Sequence, residues 1–369
     1  MTVCLIISFL LLLYALALLL PGIMFFFAAS KNERAAKKTP FISVIVPARN
    51  EAAGIVSCLE SLNEQEYQRR NYEVIVVDDH SDDDTLAVVS NFITDKPHFS
   101  LLENDDASSG KKAAITKAIA QAHGTVIATT DADSIAGPGW LSAIAQSFAD
   151  EKTMLSCGIV ACKRTSPLFR DFLQLEQISL QAVSAGAARA GFPLMCSGAS
   201  LAYRKDFFIR VHGYENDPYV SGDDMLLLQK AEPAEIRFFV SQHSLVYTDA
   251  AKNWREATRQ RARWLSKYKS YRTGRAGLYG LLVLLVNLLP LGGLVAGLSG
   301  AGWNFFLLAF SGKTIVDLLL LSLAVPFFRE PRLLLLVLPG AVFYPLLALS
   351  AAVKSLSGKI NWKGRDWEK

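Results

Sequence analysis

The chain has 369 residues, 51% of them hydrophobic and 20% charged, with a formal net charge of +4. It is too apolar for a disordered chain and too charged for a bundle made only of membrane spans, so the average hides two populations. The mild positive excess gives no reason to expect a nucleic acid polymer as partner. Four apolar stretches of roughly 22–26 residues, about a quarter of the chain, are each long enough to cross a bilayer. One block of roughly 245 residues remains, enough for a soluble domain with its own core. The cysteines Cys4, Cys58, Cys157, Cys162 and Cys196 form no CxxC and suit neither a zinc site nor a disulfide framework. Reduced thiols in a domain facing the cytoplasm are expected.

Residues 1–30 read as an uncleaved transmembrane anchor, because the apolar run from Val3 to Ala29 lacks the basic start of a signal peptide. Lys31, Arg34, Lys37 and Lys38 follow it, which puts the N-terminus outside and the next domain in the cytoplasm. That domain is expected over residues 39–251. Phe41 to Val46 (bounded by Pro47), Tyr72 to Val77 and Thr125 to Thr130 read as strands, and Ala52 to Leu62 and Lys112 to Ala122 as helices. Their alternation indicates an α/β domain with a mainly parallel sheet. Residues 252–275 carry nine Lys or Arg against one acid, Glu256, with Trp254, Ala257, Trp264, Tyr268 and Tyr271 at helical spacing. This is a basic amphipathic helix suited to the headgroup layer.

Residues 276–354 hold three more apolar segments, Ala276 to Leu298, Trp303 to Phe328 and Leu333 to Val353, and residues 355–369 are a basic tail. Three crossings would leave that tail outside. One segment is therefore expected to be re-entrant or interfacial, and the middle one is the candidate because Lys313 and Asp317 sit in it at i,i+4 spacing.

In an open parallel sheet, ligands bind beyond the carboxyl ends of the strands. Three predicted strands end in polar, acidic clusters: Pro47-Ala48-Arg49-Asn50-Glu51, then Asp78 to Thr85, then Asp131-Ala132-Asp133. Neighbouring strands would bring them to one edge, where carboxylates repel unless a cation or a positively charged group joins them. A hard divalent ion carrying a phosphate ligand is the simplest solution. Helix caps and turns are the alternative. Gly110-Lys111 precedes a helix, where Lys111 meets a nucleotide or phosphate, or belongs to a solvated loop. Cys196 to Arg204 mixes small residues with a strand-like end, as a pocket wall or a tight core turn. Ser221-Gly222-Asp223-Asp224 opens an apolar helix, as a cap or as a general base, with Asp224 favoured and Asp223 the alternative. Gln260-Arg261-Ala262-Arg263-Trp264 matches QxxRW, an arginine for a diphosphate and an indole for the apolar face of a sugar ring.

With these residues in order, the chain resembles the membrane-integrated family 2 glycosyltransferases. These inverting enzymes include cellulose, chitin, hyaluronan and poly-N-acetylglucosamine synthases and ceramide glucosyltransferase-like enzymes. The resemblance covers about Pro40 to Lys269. It implies a GT-A fold (Rossmann-like, α/β, mainly parallel sheet) in the cytoplasm, transmembrane helices at both ends, and a multi-pass location in the plasma membrane. It also implies a UDP-sugar donor and a lipid-linked or saccharide acceptor. Asp79 and Glu51 would contact the uracil and ribose, with Asp78, Pro47, Arg49 and Lys111 also on the donor side. Asp131 would bind the donor and, with Asp133, Mg2+ or Mn2+. Asp224 would be the base, and Gln260, Arg263 and Trp264 would serve the leaving group and acceptor. Gly222-Asp223-Asp224 departs from the commoner Glu-Asp, and the membrane part is small for a polymer synthase. A processive synthase and a single transfer to a lipid both stay open, and a catalytically silent nucleotide-binding subunit is the alternative from another class. Trp362-Lys363-Gly364-Arg365 resembles tails that are cytoplasmic in such enzymes.

Overall fold

Short β-branched runs separated by helix-forming stretches fold as alternating strands and helices in the computed structural model. It describes residues 2–30, 39–104, 110–163, 168–215, 222–266, 274–300, 302–356, 359–362 and 365–368. The basic cluster at Lys31, Arg34, Lys37 and Lys38, together with Ser221, Tyr268, Tyr271, Lys363 and Gly364, lies outside the described residues. The chain opens with α1 (Thr2–Ala29), β1 (Ile42–Ala48), α2 (Ile55–Asn63), β2 (Tyr72–Asp78), α3 (Thr85–Ile93), β3 (Phe99–Glu103), α4 (Lys111–Gln121) and β4 (Val126–Thr129). It continues with β5 (Ile135–Ala136), α5 (Trp140–Ser147), β6 (Leu155–Cys157), β7 (Val160–Cys162), α6 (Leu168–Arg189), β8 (Leu201–Arg204), α7 (Lys205–Arg210), α8 (Asp223–Lys230), β9 (Ile236–Phe238) and β10 (Val246–Thr248). The last elements are α9 (Trp254–Ser266), α10 (Gly274–Leu298), α11 (Asn304–Phe328), α12 (Val337–Leu356) and a hairpin of β11 (Lys359–Trp362) with β12 (Arg365–Glu368).

Two units result. One comprises Phe27–Lys163 and Ala187–Asp249, the other Met1–Phe26, Arg164–Gly186 and Ala250–Lys369. The block expected as one domain over 39–251 is thus interrupted by residues 164–186, which group with the helical unit.

The α/β unit holds a seven-stranded sheet in the order β3-β2-β1-β4-β8-β6-β9 and a smaller sheet, β5-β10-β7. Strands β3, β2, β1 and β4 run parallel, and β8 runs antiparallel to both β4 and β6. Buried side chains on α2 (Ile55, Leu59, Leu62) join those of β1 and β2 in one core. Strands covered on both faces read as near-continuous apolar runs, which is why Ile42 to Val46 and Val74 to Val77 do not alternate. Strand β1 extends past Val46, through Pro47, to Ala48. The carbonyl of Ile45 faces β4, accepting from the Thr130 N–H, so the same side of Pro47 lies beyond the last β1–β4 pair, Ile45↔Thr129. A missing N–H costs nothing there. Helix α2 begins at Ile55 rather than Ala52 because the Glu51 and Ala52 N–H groups donate to Thr85 Oγ1 and Asp83.

Glu73 ties the start of β2 to its neighbours. It accepts from Ser43 Oγ at 2.5 Å and from the His123 N–H at 2.7 Å. Burial pushes its pKa up, but the bonds from Ser43 and His123 outweigh this and hold it below the ordinary glutamate value. Its contribution is present above the unfolded pKa and lost as pH falls through the folded one. Glu73→Gln should cost about 1 kcal/mol at neutral pH. The gap from wild type should close as pH drops below about 4. Unfolding midpoints across pH check this, and a gap independent of pH would remove the carboxylate from the account.

In the helical unit, Thr2–Ala29, Ala276–Leu298, Asn304–Phe328 and Pro331–Ser355 are long and apolar enough to cross a membrane. The middle C-terminal segment, expected to be re-entrant or interfacial, is one unbroken helix, α11. Its charges are mutually satisfied: Lys313, 1% exposed, pairs with Asp317, whose Oδ1 accepts from Tyr14 OH of α1 at 2.7 Å. Phe25 of α1 meets Phe327 edge-on at 5.3 Å. The start of α6 belongs here because Phe172 stacks on Phe343 of α12 at 4.6 Å, while Tyr344 OH donates to the Phe172 carbonyl.

Candidate active site

Strands β2, β1 and β4 are neighbours, so the turns that follow them lie at one sheet edge. The first two turns are fastened to each other. Asn50 and His80 take left-handed backbone angles, φ 54° and 59°. The Asn50 N–H donates to Ser81 Oγ at 3.0 Å, and its side-chain oxygen accepts from the Asp82 N–H at 2.8 Å. Arg49 donates to the Asp79 carbonyl at 2.8 Å and pairs with Asp82 at 3.4 Å. Asp83 accepts from the N–H groups of Ala52 and Thr85, the latter at the start of α3. For these acids the turn-and-cap reading holds.

Asp78 and Asp79 are both buried, 6% and 4% exposed. One Asp78 oxygen accepts from the Ser81 N–H at 3.0 Å. Both Asp79 oxygens accept from the Gly110 N–H, at 2.9 and 3.0 Å, and Asn104 donates to one of them at 2.9 Å. Gly110 has φ +104°, a conformation that favours glycine, and it caps α4. Asp79 therefore fixes the point from which Lys111 departs.

Lys111 does not lie in a solvated loop. Its ammonium sits 2.8 Å from Asp131 Oδ1 and 3.1 Å from Asp223 Oδ2. Burial would lower its pKa, but Asp131, Asp223 and Asp224 outweigh burial and hold it above the ordinary lysine value. The group joining distant carboxylates is thus a lysine. Among the described residues, no three His, Cys, Asp or Glu side chains could hold an ion by themselves. On the turn after β4, Ala132 points inward, 3% exposed, while Asp131 and Asp133 flank it half-buried. Two carboxylates with that exposure suit an ion that completes its shell with substrate phosphate oxygens.

Asp223 and Asp224 open α8 after Gly222. Their environments differ. Asp223 is 4% exposed and faces Lys111, whereas Asp224 is half-buried. Asp224 Oδ2 accepts from the Gly198 N–H at 3.1 Å and Oδ1 from the Met225 N–H at 2.8 Å. A Cβ on Gly198 would stand 2.9 Å from Lys111 Nζ and 3.2 Å from Asp223 Oδ2, so the Cys196–Arg204 segment forms a close wall around the acids. Reading the sequence missed Gly198 as a partner of Asp224, because a backbone N–H has no motif.

Gln260, Arg263 and Trp264 lie in the helical unit, on α9; of the expected stretch 252–275, residues 267–273 lie outside the described residues. The Gln260 side chain accepts from Arg261, which pairs with Glu176 of α6 at 2.5 Å and stands over the Trp264 ring at 5.0 Å. One contact to the indole is therefore made by Arg261, a residue outside the motif. Glu176, also unforeseen, is its anchor.

Residues 43–211 match the family model Glycosyl transferase family 2. Glycosyltransferase AglE of Haloferax volcanii is 37% identical over 102 residues, 28% of this chain and 33% of its own length. Probable glycosyltransferase YdaM of Bacillus subtilis is 26% identical over 238 residues, 62% of this chain and 55% of its own. Beta-monoglucosyldiacylglycerol synthase of Trichormus variabilis is 31% identical over 114 residues, 31% of this chain and 24% of its own. The matched regions therefore span from 24% to 55% of these relatives' lengths. Among solved structures, mannosyltransferase PcManGT from Pyrobaculum calidifontis, in complex with GDP-Man and Mn2+, aligns with a TM-score of 0.59 at 21% identity, covering 95% of this chain and 99% of that one. The fold is GT-A: α/β with a mainly parallel sheet.

Proposed function

We infer that this chain, whose residues 43–211 form a glycosyl transferase family 2 domain, moves a sugar from a UDP-sugar to a hydroxyl of a lipid-linked or saccharide acceptor at the cytoplasmic face of the plasma membrane, inverting the anomeric carbon. The observation that carries this reading is the pairing of a shielded acid, Asp223, with an accessible one, Asp224, beside the Asp131–Asp133 turn. Asp224 accepts the proton of the acceptor hydroxyl. The acceptor oxygen bonds to the anomeric carbon as the bond from that carbon to the diphosphate breaks, its electron pair leaving with UDP. The Gly198 and Met225 N–H groups hold the Asp224 carboxylate in place. Asp131 and Asp133 would hold Mg2+ or Mn2+, which supplies charge neutralisation for the departing diphosphate when bound. Pro47, Arg49, Glu51, Asp78 and Asp79 shape the nucleoside end. Asp79, engaged by Gly110 and Asn104, acts there by holding the Gly110 turn. Gln260, Arg263 and Trp264 are assigned to diphosphate and acceptor by motif.

A lipid acceptor and one or a few transfers are favoured over a processive synthase. Four helices suited to a membrane, and a relative named for making a glucosyldiacylglycerol, support this. Detergent-solubilised protein offered a panel of UDP- and GDP-sugars with lipid extract should release UDP from one UDP-sugar, stop with EDTA, and yield an organic-extractable product of one or few sugars by mass spectrometry. Nucleotide binding without release from any donor would make the chain a silent subunit, and high polymer would make it a synthase.

A further inference from the structure

Lys111 is built into the acid cluster. Its backbone origin is pinned by the two Asp79 oxygens on the Gly110 N–H, and its side chain is 18% exposed. Its head is enclosed by Asp131, Asp223 and the bare Cα of Gly198. A compact ammonium in such a cradle is a fixed positive charge. It already occupies Asp131 Oδ1 and repels any second cation brought to the same carboxylate.

We propose that Lys111 is a positioning residue that bars a divalent ion from the Asp131–Asp133 turn until a nucleoside diphosphate arrives with it. The diphosphate carries the negative charge that lets an ammonium and a metal ion share one site. By holding Asp223, Lys111 also withholds that acid from proton transfer and leaves the role to Asp224. Ion and donor then enter together, and the ion does not remain after UDP departs. This rests on the reading of Asp131 and Asp133 as the ion-holding pair.

The test is Mn2+ binding, followed by electron paramagnetic resonance on the solubilised full chain, with Mn2+ alone and with Mn2+ plus UDP. Asp131→Ala provides the blank. Wild type should bind Mn2+ at least about tenfold more tightly with UDP than alone. Lys111→Met should bind Mn2+ alone about tenfold more tightly than wild type, and the gain from UDP should shrink. Lys111→Arg should keep the weak binding of Mn2+ alone. Wild type that holds Mn2+ equally well with and without UDP overturns the proposal and needs no variant. So does a Lys111→Met protein whose affinity for Mn2+ alone is unchanged while UDP-dependent binding persists. If wild type binds no Mn2+ even with UDP, the ion site itself is wrong and the role of Lys111 falls with it, an outcome distinct from the other two.

Discussion

Asp224→Asn should lower sugar transfer by about 10³-fold while leaving UDP-sugar affinity within about threefold. The amide keeps the shape of the side chain and its oxygen still accepts from the Gly198 N–H, so the wall keeps its link to α8, while the bond from the Met225 N–H is lost. What disappears is a base for the acceptor proton. Asp223→Asn should behave differently. It removes a partner of Lys111, so it should disturb donor and Mn2+ binding together with rate. Steady-state kinetics with the identified donor separate the two variants. If Asp223→Asn lost rate alone and Asp224→Asn lost binding, the base would be Asp223.

A second large effect is expected in the helical unit. Gly186 of α6 lies against α1, where an added Cβ would stand 1.9 Å from the Pro21 carbonyl oxygen and 2.5 Å from its carbon. Both contacts are backbone, so neither can yield by turning a side chain. Gly186→Leu should therefore cost about 3 kcal/mol, at the upper end for overpacking. It should appear as a lower unfolding midpoint in detergent and poor accumulation in membranes. An unchanged midpoint would mean that α1 and α6 do not approach as described. Gly186→Ala should show the same loss in smaller measure, which ties it to space rather than to polarity.

Strand ends were legible because β-branched runs stopping at Asp78 and Asp131 are local patterns, and the parallel sheet followed from their alternation with helices. The order β2-β1-β4 then brought those ends together. The fate of each acid was not legible. Asp79 and Asp131 look alike along the chain, yet one is consumed by the Gly110 N–H and the other reaches Lys111. Partners 20 to 31 positions away, one of them a backbone group, leave no trace in spacing. Lys313 and Asp317 suggested a re-entrant or interfacial segment because charges in a membrane are costly. The two pair with each other along α11, and Tyr14 of α1 joins them, a contact that spacing along the chain does not reveal. The hairpin of β11 and β12 was not legible because its strands are only four residues long and rich in charge.

The most direct test of the account is where UDP binds. A structure of the full chain with UDP and Mn2+ should place the diphosphate beside Asp131 and Asp133, at the carboxyl ends of β1, β2 and β4, with Asp224 facing the space next to it. UDP bound at another face of the α/β unit, with Asp131, Asp133 and Asp224 open to solvent, would contradict it.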